Sequence, residues 1–256
     1  FNSAKLFCEK HMENSYNNEY LNKFRFNKFK NNIKIIPYTF NNSLFALLEA
    51  VSLYFFQYNK LPKILDFGGI FAENKLYLEN LYNLKIIYDV VETKNICDLA
   101  KEFNHCNFFP NLEEAFLNNN NKYDIIFSSG TIQYFEKPYN ILNKIFSQKI
   151  KYIVFTRTNL SNDEGVYSAA SFLAGHGSSE GYINYNPKKE KKIILVPNTQ
   201  IKEEKLLNIS NQHSYKLVRS FGGISGSYGR NSYTKDFIFK RFTNESNNLK
   251  TQPTVL

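Results

Sequence analysis

Two glycines directly follow a short apolar run of the sequence, and an acidic residue stands at the end of the next apolar run. The first run, Lys63–Phe67, is followed by Gly68 and Gly69, and Glu92 lies 24 residues beyond Gly68. Glycines allow a backbone to approach a ligand closely, and an acid about 20 residues further on is placed to grip the ribose of a nucleoside. Asp66 is placed to hold a ligand's amino group, directly or through water. The alternatives are an ordinary strand-to-helix turn at the glycines and, at Glu92, an acid that stabilises the start of a helix.

The residues after these glycines distinguish two classes of nucleoside cofactor. A dinucleotide fingerprint needs the pattern G-x-G-x-x-G, which seats a pyrophosphate on a helix N-terminus. Here the loop Gly68–Glu73 has the sequence GGIFAE, so the third glycine is absent and Glu73 would repel a pyrophosphate. S-adenosylmethionine carries no phosphate, and the loop therefore favours it as the cofactor. A dinucleotide-dependent oxidoreductase or epimerase with a degenerate loop stays the alternative.

A third polar segment, Ser128–Tyr134, follows a later apolar run and precedes Pro138. In an open α/β sheet, ligands bind outside the carboxyl ends of the strands, where the strand order switches. This segment would lie across that switch from the glycine loop, so that its backbone and Gln133 or Tyr134 face the cofactor and the acceptor. The alternative for Tyr134 is an aromatic ring packed beneath the following helix.

Short apolar runs alternate with helical patterns between these segments, which predicts a parallel sheet with helices on both faces. The predicted strands are Lys63–Phe67, Lys85–Val91, Asn107–Phe109, Tyr123–Ser128 and Tyr152–Thr156, and the predicted helices are Glu73–Tyr82, Lys94–Phe103, Leu112–Leu117 and Pro138–Gln148. Two closing strands, Tyr215–Phe221 and Asp236–Phe242, would pair as an antiparallel hairpin. The expected fold is α/β, a class I (Rossmann-like) methyltransferase fold with a seven-stranded, mostly parallel sheet and a C-terminal antiparallel hairpin.

The chain divides by pattern into two parts and an insertion. Residues 1–59 are expected to form an N-terminal helical cap, and residues 60–256 the cofactor-binding domain. Residues 158–190 show little periodicity, and the segment at about 158–200 is predicted to be a lid or insertion because structureless loops of that length are otherwise uncommon.

Four segments occur in an order that resembles a family of bacterial methyltransferases usually met near surface-polysaccharide genes. They are LDFGG, VVE, SSGTIQYFEKP and YIVFTRT, and the resemblance covers about residues 60–160. Ile70 and Ala72 depart from the small residue and the glycine of that family, which implies a tighter loop. The resemblance implies S-adenosylmethionine as the cofactor, with Asp66, Gly68, Gly69, Glu92, Ser129, Gly130 and Gln133 as its contacts, Tyr134 lining the site, and Arg157 and Thr158 on the acceptor side.

Methyl transfer requires that the acceptor and the methyl group be held in line, and an acceptor oxygen of high pKa also needs a base. His176 is the first candidate base, since it lies in the predicted lid, and Tyr134 is the second; the alternative for His176 is a solvated loop residue. An acceptor that is already anionic needs no base. Arg157, Arg219 and Arg230 would then act as anion clamps.

The composition of the chain limits which binding partners and which cellular compartment are expected. The formal charge is +9, but the lysines are scattered and form no nucleic-acid footprint. The three cysteines have no metal-site spacing, which predicts a reducing compartment and no metal. The chain has no apolar run long enough for a membrane span, and a cytoplasmic location is expected.

The function predicted from the sequence is O-methylation of a small anionic, sugar-nucleotide or phosphoramidate precursor of a surface polysaccharide. An NAD(P)-dependent oxidoreductase or epimerase and a catalytically inactive binding module for S-adenosylmethionine are the alternatives. The oligomeric state is left open.

Overall fold

The computed structural model describes residues 3, 6, 19–36, 43–118, 122–163, 166–172, 193–225 and 232–242. The helices are α1 Glu19–Asn32, α2 Leu44–Tyr58, α3 Glu73–Tyr82, α4 Lys94–Ala100, α5 Leu112–Asn118, α6 Pro138–Ser147 and α7 Glu203–Gln212, with a 3-10 turn at Ile132–Tyr134. The strands are β1 Ile64–Phe67, β2 Tyr88–Val91, β3 Phe108–Phe109, β4 Ile125–Ser129, β5 Tyr152–Ser161, β6 Val166–Phe172, β7 Ile193–Thr199, β8 Tyr215–Ser225 and β9 Ser232–Arg241.

Seven of these strands form one sheet in the order β3-β2-β1-β4-β5-β9-β8. The strands β1 to β5 run parallel, whereas β9 is antiparallel to both of its neighbours. The predicted class I fold with a C-terminal antiparallel hairpin is confirmed. The strand order reverses between β1 and β4, which places the expected ligand crevice at the carboxyl ends of these two strands.

The two faces of the sheet are buried against different helices. Side chains alternate along β1, so that Ile64 joins the cluster under α2 and α3, while Leu65 and Phe67 join the cluster under α5, α6 and α7. This alternation is the period-two pattern of a strand that is buried on both sides. The carboxyl ends of the strands are thereby fixed from both faces.

The helix α2 falls within residues 1–59, the predicted N-terminal cap, and its apolar side chains are buried on the sheet. It packs on β4, β5 and β9, and its buried side chains, which include Leu47, Val51 and Tyr54, belong to the core of the sheet. The mean hydropathy of this helix requires such burial, because most of its side chains are apolar. The helix α1, in the same range, packs beside α4, and Phe108 of β3 packs against its cluster of aromatic side chains.

The segment predicted as a loop from residue 158 contains regular strands. The strand β5 continues to Ser161, and β6 pairs with β7 as a two-stranded antiparallel hairpin. The sequence obscured this because the polar residues Asn159 and Asn198 are both buried and are joined by a side-chain hydrogen bond of 2.9 Å. Residues 173–192 lie outside the described ranges, and the role of the segment as a lid stays a prediction.

None of the helices in the described ranges has the length and apolar character that crossing a bilayer requires. The cytoplasmic location stays a prediction.

Candidate active site

A pocket of about 650 Å³ opens at the carboxyl ends of β1, β2 and β4, where the strand order reverses. Loops after all three strands contribute to its wall. The residues that line it are Arg25, Phe67, Gly68, Ile70, Val91, Glu92, Thr93, Pro110, Asn111, Leu112, Glu113, Ser129, Gly130, Thr131, Gln133, Tyr134, Phe135, Ile141, Lys144, Arg157 and Thr234.

The turn after β1 is built around Gly68. Its φ is +85°, a left-handed conformation that favours glycine, and its N–H donates to the carbonyl of Val91 at 2.9 Å. A Cβ atom at Gly68 would overlap the side chain of Thr131. The absence of a side chain therefore lets the loop after β1 touch the loop after β4 along the pocket wall.

The two residues that depart from the family pattern keep a glycine-like backbone. Ile70 has a φ of +50° and Ala72 a φ of +61°, both in the left-handed region that non-glycine residues seldom occupy. The N–H of Ile70 donates to Glu92 Oε1 at 3.3 Å, and the N–H of Ala72 donates to the carbonyl of Gly69 at 2.9 Å. The loop retains its turn without the two expected residues.

Glu92 extends from the end of β2 into the pocket and is held by backbone groups. In addition to Ile70, the N–H of Thr93 donates to Glu92 Oε2 at 2.8 Å. Burial raises the pKa of the Glu92 carboxyl, while these N–H groups and the charge of Arg25 act in the opposite direction. A carboxylate fixed in this way has further lone pairs with which it can accept hydrogen bonds from ligand hydroxyls.

Asp66 and Gly69 lie beneath the pocket rather than among its lining residues. Asp66 Oδ2 accepts hydrogen bonds from the Tyr88 hydroxyl at 2.5 Å and from Asn74 Nδ2 at 3.2 Å. Burial raises the pKa of the Asp66 carboxyl to about 7, because desolvation penalises its charged form more than these two bonds favour it. A Cβ atom at Gly69 would overlap this carboxyl group. In this structure Asp66 supports the turn from below.

The segment after β4 supplies the opposite wall, with Ser129, Gly130, Gln133 and Tyr134 all lining the pocket. Gln133 is 7% exposed, and its Oε1 atom has no hydrogen-bond partner among the described residues. Such a buried acceptor costs free energy unless a ligand or water satisfies it.

Arg157 reaches the pocket from a bulge in β5. At this point Thr156 and Arg157 lie opposite the single residue Asp236 of β9, and Arg157 adopts a φ of +51°. Its backbone N–H donates to Asp236 Oδ1 at 2.7 Å, and its side-chain Nε donates to Ser129 Oγ at 3.0 Å. The guanidinium group is thereby held over Gly130, with its outer edge exposed.

Several lining residues were missed by the sequence reasoning. Pro110 and Asn111 follow β3, so the rule that ligands lie at the carboxyl ends of strands would have found them. Lys144 and Glu113 form an ion pair across the pocket rim, between α6 and α5, with no local signal in the sequence. Arg25 comes from α1 and could not be placed before the packing of that helix was known.

Arg219, one of the predicted anion clamps, is not among the residues that line the pocket. Arg219 lies on β8 and pairs with Glu49 of α2, with Nε donating to Oε1 at 3.0 Å, so it is not an anion clamp of this site. His176 and Arg230 lie outside the described residues. Within the described ranges, no group of three or more histidine, cysteine or acidic side chains is arranged to hold a metal ion.

No protein-family model matches this chain, and no curated protein matches its sequence. Among solved structures it is similar to magnesium protoporphyrin IX methyltransferase from Synechocystis PCC 6803 with bound S-adenosylmethionine (TM-score 0.45, 9% identity, 78% of this chain and 79% of that chain). It is also similar to the glycopeptide N-methyltransferase MtfA (TM-score 0.46, 8% identity, 77% and 90%) and to the CcbJ methyltransferase from Streptomyces caelestis (TM-score 0.42, 10% identity, 71% and 84%).

Proposed function

We propose that the protein is an S-adenosylmethionine-dependent methyltransferase. The observation that carries this is the convergence of Gly68, Glu92 and Gly130 on one pocket, at the reversal of strand order in a seven-stranded sheet with one antiparallel strand. A carboxylate at the end of β2 suits a ribose. Glu73, at the start of α3, places a negative charge at the helix N-terminus where a dinucleotide would bind its pyrophosphate. The repulsion between these charges disfavours a dinucleotide cofactor.

The polar atoms of the pocket fit an adenosyl cofactor. Glu92 would accept from the ribose hydroxyls, and the backbone at Gly68 would approach the amino-acid end. Gln133 Oε1 and Thr93 Oγ1 are buried atoms without a partner among the described residues, and both residues line the pocket. When bound, the cofactor supplies an electrophilic sulfonium methyl group, and the chain's own contribution is to hold the acceptor in line with it.

The acceptor we propose is a small anionic molecule, a sugar nucleotide or a phosphoramidate, methylated on oxygen as a precursor of a surface polysaccharide. Its support is Arg157, whose guanidinium group lines the pocket with its outer edge exposed, together with the resemblance of the sequence motifs. An anionic acceptor oxygen would take the methyl group without losing a proton, so the chain would need to supply no base for it. For a neutral hydroxyl, Tyr134 in the pocket wall, or His176, would take that proton.

Binding of S-adenosylhomocysteine tests the cofactor, measured by calorimetry and by the shift in melting temperature. We expect saturable binding that Glu92→Ala abolishes and that Glu204→Ala, a change of an exposed acid on α7, leaves unchanged. Binding of a nicotinamide dinucleotide instead would favour the oxidoreductase alternative. Transfer of a labelled methyl group to sugar phosphates and sugar nucleotides, compared with neutral sugars, tests the acceptor. Cofactor binding without transfer to any of them would favour an inactive binding module.

A further inference from the structure

The N-terminal helix α1 is attached to the glycine loop itself. Phe26 and Phe29 of α1 pack against Phe71, which belongs to that loop, with ring centroids 5.8 and 5.4 Å apart. Phe103, which follows α4, closes the cluster at 5.3 Å from Phe26 and 4.7 Å from Phe29. Aromatic pairs at these separations stabilise a docked helix beyond the effect of buried area alone. The position of α1 is therefore coupled to the position of the loop after β1, which lines the pocket.

The packing of α1 on Phe71 places a buried cation, Arg25, at the pocket. Arg25 precedes Phe26 on the same helix, is only 4% exposed, and lines the pocket together with Ile70 and Glu92. Its charge favours the ionised form of Glu92, against the burial that raises the pKa of that carboxyl. A buried arginine is costly unless its charge is compensated, and Glu92 is an acidic group of the same pocket whose ionised form this charge favours.

We propose that Arg25 is a positioning residue of the cofactor site, which holds Glu92 in the charged form that accepts the ribose hydroxyls and so makes the N-terminal helix part of that site. This inference rests on the proposed function for its ligand, but the relation between Arg25 and Glu92 exists in the protein alone. The proposal gives a role to a residue that lies far outside the strand-and-loop region in which cofactor contacts were expected.

Other titratable groups also act on or near Glu92, and they determine the controls. Asp66 on β1 lies close enough for the two carboxyl charges to oppose each other. The Cys97 thiol on α4 interacts with Glu92, but its pKa is raised to about 11, so it stays neutral near pH 7. The remaining charged groups that line the same pocket are Glu113, Lys144 and Arg157.

The direct test is the ionisation of Glu92 in the protein without ligand. Glutamate side chains labelled with carbon-13 at the carboxyl would be titrated by NMR, in an Asp66→Asn background that removes the neighbouring carboxyl. We expect Arg25→Met to raise the midpoint of Glu92 by about one pH unit, and Arg25→Lys to restore it. Lys28→Met removes another nearly buried cation of α1, which does not line the pocket, and should leave the midpoint in place.

The second test is the affinity for S-adenosylhomocysteine as a function of pH. We expect Arg25→Met to weaken binding about tenfold at pH 6, with recovery as the pH rises and Glu92 ionises. In a Glu92→Gln background, Arg25→Met should have no further effect. An unchanged Glu92 midpoint, or a pH-independent loss that adds to that of Glu92→Gln, would overturn the proposal. If the unaltered protein fails to bind the ligand, the proposed function fails, whereas the NMR titration still decides the role of Arg25.

Discussion

The Tyr88 hydroxyl donates a 2.5 Å hydrogen bond to Asp66 directly beneath the glycine turn, yet this carboxyl group is easier to protonate than an ordinary aspartate. Asp66 is only 1% exposed, and burial dominates, raising its pKa from 3.8 to about 7. Beneath the glycine turn there is therefore a carboxyl group whose charge changes near neutral pH.

This raised pKa makes the stability of the ligand-free protein depend on pH. When the pKa of a group is higher in the folded than in the unfolded state, the folded state binds the proton more tightly. The resulting contribution to the free energy of unfolding is fully present below the unfolded pKa and is lost as the pH rises through the folded pKa. We therefore expect Asp66→Asn to gain stability relative to the unaltered protein between pH 5 and pH 8.5, by roughly 2 kcal/mol. Urea denaturation at the two pH values measures the difference.

The matched control is Asp124→Asn, which changes another carboxyl group of the sheet. The pKa of Asp124 is lowered, despite its burial, chiefly by the hydrogen bond from Lys151. Its contribution is present above the unfolded pKa, so Asp124→Asn should be destabilised equally at both pH values. A gain for Asp66→Asn that does not change with pH would contradict the explanation based on Asp66 ionisation.

Gly68 and Gly130 allow a comparison of backbone strain with steric overlap. Both have a positive φ, of +85° and +63°, so alanine at either position costs roughly 1–2 kcal/mol for the left-handed conformation. Only at Gly68 does the added Cβ overlap a neighbour, the Thr131 side chain, whereas at Gly130 it lies 3.5 Å from the Arg157 guanidinium. We expect Gly68→Ala to be the more destabilising change in denaturant titrations and to abolish binding of S-adenosylhomocysteine. Equal losses of stability would show that the overlap relaxes at no cost.

The sequence was sufficient to predict the order of the strands and helices from β1 to β5 and the closing hairpin of β8 and β9, because apolar runs, glycines and helix breakers act locally. Glu92 and the segment after β4 were found for the same reason, since each follows directly on a buried strand. Arg25 could not be found, because its place in the pocket depends on how α1 packs on Phe71. The bulge at Arg157 was also missed, since neither its left-handed backbone nor its bond to Asp236 leaves a pattern in the sequence.

Ala72 occupies a backbone conformation that glycine would adopt without strain. Its φ is +61°, and its side chain is fully buried, so that glycine would remove one methyl group and the left-handed strain together. We expect Ala72→Gly to change the free energy of unfolding by less than about 1 kcal/mol, since relief of strain offsets the loss of the methyl group and the added chain entropy.

Ala50→Gly is the control for this change. Ala50 is equally buried but lies within the helix α2, where glycine has no strain to relieve. We expect it to cost more than 1 kcal/mol, from lost helix propensity and lost packing. Similar losses at the two positions, measured by urea denaturation, would mean that the loop tolerates Ala72 without strain.

Substitution of Gln133 tests whether this side chain contributes to folding or to ligand binding. Its Oε1 atom is buried and has no partner among the described residues, although the residue lines the pocket. Replacing an unsatisfied buried polar group by an apolar group of similar shape is neutral or stabilising. We therefore expect Gln133→Met to leave the melting temperature unchanged or to raise it, and to weaken S-adenosylhomocysteine binding about tenfold, the cost of one hydrogen bond of about 1.4 kcal/mol.

The matched change is Gln148→Met, at the end of α6 and away from the pocket. Gln148 Nε2 donates to the carbonyl of Lys144 at 3.1 Å, so its loss should lower stability by about 1 kcal/mol and leave ligand affinity unchanged. If Gln133→Met weakens ligand binding without lowering the melting temperature, while Gln148→Met lowers the melting temperature without weakening binding, Gln133 contacts the ligand. If Gln133→Met instead lowers the melting temperature and binds normally, its amide serves the fold, and the turn after β4 contacts the ligand only through its backbone.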